Sequence, residues 1–155
     1  MADRSPEASA LCIADRGREA IQDRTSRATK AIREKIDKII SQRIVFFTRG
    51  DSIAILNQAI LYVRRNEHTN RIRVVTVYSD EKEIPPRLEQ DLDFLDEAYP
   101  EIDIEYVKIE GEFGPEPIQQ LSNKWRIPKN FMFIGSPGNH FPYRLEELGG
   151  VRLII

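Results

Sequence analysis

Apolar positions along the chain follow two different spacings. From about residue 11 to residue 42, Ile21, Ala28, Ile32, Ile36 and Ile39 recur at intervals of 7, 4, 4 and 3. That period predicts an amphipathic helix, and the stretch holds no proline and only Gly17 to interrupt it. After Arg43 the pattern shortens. Residues 44–48 (IVFFT) form a continuous apolar run, as a strand buried on both faces requires. Gly50-Asp51-Ser52 then supplies a turn and a helix N-cap, whose side chain can satisfy a free amide. The helix it opens carries Ile53, Leu56, Ile60 and Val63 on one face. Asn70 ends the connection, and residues 72–78 (IRVVTVY) predict a second strand.

The same alternation continues to the end of the chain. Pro85-Pro86 precedes a third stripe of Leu88, Leu92, Leu95 and Tyr99, which Pro100 stops because the residue before proline disfavours helix. Residues 102–109 (IDIEYVKI) alternate at their start, with Asp103 and Glu105 expected to face out, as on an edge strand. Gly114-Pro115 opens a helix with inner face Ile118, Leu121 and Trp125, and Pro128 follows its end. Residues 131–134 (FMFI) are again apolar throughout. A short helix is expected over 142–148, ended by Gly149-Gly150, and a last strand over 151–155 (VRLII). The order β-α-β-α-β-α-β-α-β demands right-handed crossovers and a parallel sheet between helical layers. With apolar strands central and the alternating strand peripheral, the strand order is 3-2-1-4-5. The reading is an α/β three-layer sandwich over residues 44–155, preceded by a charged helix or connector over residues 1–43.

Composition adds limits. A chain of 155 residues can bury a core without metal or disulfide, and Cys12, the single cysteine, fits a reducing compartment. No apolar run approaches the roughly 20 residues that span a bilayer. A soluble, cytoplasmic chain is therefore expected. Residues 1–43 carry ten Lys/Arg against seven Asp/Glu, whereas residues 44–155 carry thirteen against eighteen. The acidic remainder repels phosphate backbones, so nucleic acid is not an expected partner. The basic residues Arg24, Arg27, Lys30, Arg33, Lys35 and Lys38 allow weak contact of residues 24–38 with an anionic membrane surface at the inner face of the cell membrane. The plainer alternative is a solvated helix packed on the domain or on its copy.

Several longer stretches resemble a known family. RIVFFTRGDSIAILNQAILYVRRNEHTNRIRVVTVY, LEQDLDFLDEAYPEIDIEYVKIEG, FGPEPIQQLSNKWRIPKNFMFIGSPG and EELGGVRLII are similar to the cytosolic C-terminal domain of bacterial permeases in the amino acid–polyamine–organocation superfamily. The likeness covers about residues 38–155. It implies association with a transporter membrane domain and a topology like that of universal stress proteins and related adenine-nucleotide hydrolases. Universal stress proteins often bind ATP and pair into dimers.

Nucleotide or small-anion binding is the alternative to a pure interaction role. In open parallel sheets, ligands settle beyond the C-terminal strand ends at the switch point, here between the first and fourth strands. The candidate residues are Thr48, Arg49, Gly50, Asp51 and Ser52 after the first strand and Tyr78 ending the second. Gly135, Ser136, Gly138, Asn139 and His140 follow the fourth. Helix N-termini after such loops favour anions. The fourth-strand loop resembles the opening of the stress-protein ATP motif, Gly-x2-Gly-x9-Gly-Ser/Thr. It then departs from it, because Leu148 stands where the third glycine belongs and no Ser or Thr follows Gly150. Arg49 occupies the place of an acidic residue in ATP-binding relatives, and Pro137 removes one amide from the cradle. The plainer alternative assigns Gly135, Gly138 and Gly149 to turns and packing. No cofactor is expected, with ATP or another nucleotide the open alternative.

Catalytic patterns are absent from the sequence. It holds no phosphate-binding Lys-Ser/Thr loop, no GxGxxG, no GxSxG and no metal-spaced His/Cys set, so no enzyme activity and no metal are expected. His68 reads as an exposed turn residue, the acids from Glu89 to Glu105 as a solvated face, and Trp125 as packing. The last strand is different. Val151, Leu153 and Ile155 would lie on a sheet edge whose open amides invite a second chain, and a homodimer through this strand is expected.

Overall fold

Two compact units divide the chain, residues 1–39 and residues 40–155. The computed structural model describes residues 7–50, 52–135 and 143–154, and gives only the backbone for residues 7–20, 23, 39 and 40. The described part of the first unit is helical and lies within α1 (Glu7–Ile40). No helix among the described residues is long and apolar enough to cross a membrane.

The second unit alternates strand and helix. In order they are β1 (Ile44–Thr48), α2 (Ile53–Asn66), β2 (Arg71–Tyr78), α3 (Leu88–Ala98), β3 (Asp103–Glu110), α4 (Pro115–Trp125), β4 (Met132–Gly135) and β5 (Arg152–Ile154). All four pairings are parallel, and the order is β3-β2-β1-β4-β5. Phe46 lies beside Val74 on one side and Phe133 on the other. The expected α/β sheet and its strand order are therefore present.

Alternation along the strands builds two cores. Ile44, Phe46, Ile72 and Val74 meet Leu56, Ile60 and Val63 of α2 and Leu88, Leu92 and Leu95 of α3. Val45, Phe47, Val75, Met132 and Ile134 meet Ile118 and Leu121 of α4, with Leu148 and Val151. The central strand β1 is buried along its whole length, which explains its unbroken apolar run. Each fully buried side chain such as Phe46 or Phe133 contributes about 1.5–3 kcal/mol relative to an exposed one.

Three expectations need correction. The helix expected over 142–148 is a series of turns in its described part. Only i-to-i+3 backbone bonds form, such as Leu148 N to the Leu145 carbonyl at 3.2 Å. Gly149 and Gly150, at φ 67° and 105°, then take a left-handed backbone that no right-handed helix continues. Ser52 does cap α2, but through its carbonyl, which accepts from Ile55 N at 2.9 Å; its side chain makes no capping bond. Asp103 and Glu105 are not simply solvated. Arg71 and Arg43 lie 3.9 Å from Asp103, while Glu105 accepts from Arg73 at 2.9 and 3.0 Å and also pairs with Arg43.

Candidate functional site

Because every strand runs the same way, the loops leaving β1, β2 and β3 share one end of the sheet. Thr48 ends β1 in register with Thr76, and both are buried. Arg49 and Gly50 follow as an exposed turn. Gly50 sits at φ 88°, and a Cβ there would lie 3.0 Å from Pro85 Cγ, so this tight turn needs glycine. Beside it opens a cleft of about 280 Å³ lined by Arg49, Gly50, Thr76, Val77, Tyr78, Glu83 and Phe113.

Local interactions hold these groups in place. Asp80 caps the single helical turn Glu81–Glu83, its carboxylate accepting from Lys82 N at 3.0 Å. Glu83 in turn accepts from Ser79 N at 3.3 Å. The Ser79 hydroxyl donates to the Gly111 carbonyl at 3.3 Å, and Gly111 N donates to the Tyr78 carbonyl at 2.8 Å. These two bonds tie the loops after β2 and β3 together. Tyr106 donates its hydroxyl to Thr76 Oγ1 at 3.1 Å. Phe113 meets Phe47 edge-on, with centroids 5.5 Å apart, so the core below anchors the cleft's aromatic wall.

The cleft thus gathers a guanidinium, a carboxylate, a phenol and an aromatic ring. Such a mixture suits a small polar ligand with a flat or apolar part, because few convergent polar groups fix orientation while a ring supplies contact. Arg49 can meet an anionic group with two parallel hydrogen bonds.

Of the residues singled out in the sequence, the structure brings Arg49, Gly50 and Tyr78 to this cleft. Thr48 lies buried beneath it, and Ser52 stands at the head of α2 outside the lining. Gly135 ends β4 and pairs with Ile154. Asp51, Ser136, Pro137, Gly138, Asn139 and His140 lie outside the described residues, as does Ile155. Thr76, Val77, Glu83 and Phe113 were missed. Their signal was positional, since the segments after the second and third strands must open at the same sheet end as the first.

At the far edge, Val151 is buried in the α4-side core and Leu153 packs against it half-buried. Arg152 ties β5 to α2, bonding Glu67 at 2.9 Å and the Tyr62 hydroxyl at 2.6 Å. Its guanidinium also lies 4.7 Å from the centroid of the Phe133 ring.

No protein-family model matches the chain. No curated protein matches it either. A solved structure of a universal stress protein in complex with cAMP is similar at a TM-score of 0.49 and 15% identity, covering 74% of this chain and 95% of that one. The strand pairing itself establishes the architecture as an open, all-parallel, five-stranded α/β sheet.

Proposed function

We propose that residues 40–155 are a non-catalytic regulatory domain that reads a small nucleotide or anion in the cleft beyond β1, β2 and β3. The reading associates the domain with an amino-acid permease-type transporter on the cytoplasmic side of the membrane. The observation that carries it is the convergence on one cleft of Arg49, Glu83 and Phe113, drawn from three loops, with Tyr78 from the end of β2. The transporter association rests on the sequence resemblance over about residues 38–155. A ligand bound at a hundred times its dissociation constant would stabilise the domain by about 2.7 kcal/mol. Thermal-shift titration with ATP, AMP, cyclic AMP, cyclic dinucleotides, inorganic phosphate and amino acids tests the sensor. A flat response at millimolar ligand rejects it.

The second reading is an interaction module that pairs with its own copy through β5. It is favoured by the position of β5 at the sheet edge among the described residues, since the backbone groups of an edge strand can receive another strand. Light scattering on the wild type and on Leu153→Asp tests it. A dimer that becomes a monomer supports the edge pairing, and a wild-type monomer rejects it.

A further inference from the structure

The α1 helix presents a face with an uncommon composition. At about 100° per residue, Ile21, Thr25, Ala28, Thr29, Ile32 and Ile36 share one side of the helix. The three isoleucines are exposed, at 68%, 58% and 47%. The two threonines belong to this apolar side for a structural reason. Thr25 Oγ1 donates to the Ile21 carbonyl at 2.8 Å, and Thr29 Oγ1 donates to the Thr25 carbonyl at 2.8 Å. A hydroxyl bonded back onto its own helix has its proton satisfied without water, which lowers the cost of placing it against an apolar phase.

Charge decides what this face fits. Residues 24–38 hold six basic side chains against two acidic ones, Glu34 and Asp37. By the same helical geometry Arg24 and Lys35 border the apolar strip on one side and Arg33 on the other. A second copy meeting this strip would bring border cations toward border cations. An anionic bilayer surface meets them with opposite charge, and their aliphatic stems can lie along the strip while the charged ends reach the headgroups. We propose that α1 docks lengthwise on an anionic phospholipid surface, with Ile21, Ile32 and Ile36 entering the headgroup boundary and Arg24, Arg33 and Lys35 contacting phosphates. The proposal is independent of the cleft and its ligand, because it concerns a different unit of the chain.

Co-sedimentation of the 155-residue chain with vesicles tests it. The probes are phosphatidylcholine alone and phosphatidylcholine with about one-third phosphatidylglycerol. Binding is expected to the anionic vesicles alone, and to fall at least about tenfold as salt rises from about 0.05 to 0.5 M. The double variants Arg33→Glu/Lys35→Glu and Ile32→Ser/Ile36→Ser should each lose it, with helix content by circular dichroism and the unfolding midpoint of the sheet unchanged. Equal binding to neutral vesicles, no binding to anionic ones, or full binding by the charge-reversed variant would overturn the proposal. So would a dimer without vesicle binding that Ile32→Ser/Ile36→Ser turns into a monomer, because the face would then belong to a second copy.

Discussion

The two ends of the sheet use similar residues in opposite ways. At the N-terminal strand ends, Arg73 bonds Glu105 at 2.9 and 3.0 Å and stacks 4.4 Å from the centroid of the Trp125 ring. Arg43 and Arg71 complete the cluster with Glu105 and Asp103. Burial, and then the neighbouring Arg43, hold the Arg73 guanidinium below its usual pKa. At the C-terminal ends an arginine, a carboxylate and aromatic rings surround a cleft instead. Charges paired across the strands hold the fold at one end, while at the other charged groups line the wall of a cleft. On the proposed function, the first end is structural and the second is where a ligand would bind.

The largest effect tests the frame that both ends share. Phe46→Ala removes a fully buried ring from the central strand and should cost about 3–5 kcal/mol in denaturant unfolding, weakening both ends together. Glu105→Gln comes next. It takes the charged partner from Arg73, whose side chain is 14% exposed. Glu105 is itself 39% exposed and glutamine still accepts a hydrogen bond, so the cost should be about 1–2 kcal/mol. Ligand response at the other end should survive that change; its loss would show that the two ends are not separate. Gly50→Ala should cost about 1–2 kcal/mol from the positive φ and should also weaken ligand response, because the turn bearing Arg49 must shift away from Pro85. An alanine that leaves both stability and response intact would remove this turn from the site. The smallest stability effect belongs to Arg49→Ala, within about 0.5 kcal/mol at an exposed position.

The same contrast explains what the sequence made legible. Strand order followed from the unbroken apolar run of β1 and the mixed pattern of β3, because burial on two faces or one is written directly in side-chain polarity. Arg49 and Gly50 were legible because a glycine between a strand and a helix marks a βα turn. Glu83 and Phe113 were not, since each owes its place to a loop folding back over the sheet, as in the Ser79–Gly111 bond. Partners 32 residues apart leave no local spacing to read. The cluster around Glu105 was hidden for the same reason, as alternation marked the residue as outward-facing but said nothing of Arg73 or Trp125 beyond it.

The most direct test is a thermal-shift series with ATP, AMP, cyclic AMP, inorganic phosphate and amino acids on three proteins: the wild type, Arg49→Ala and Glu105→Gln. The account predicts that at least one probe raises the midpoint by about 5 °C in the wild type and in Glu105→Gln, and leaves Arg49→Ala unmoved. A flat wild-type response, or a shift that persists in Arg49→Ala, would contradict it.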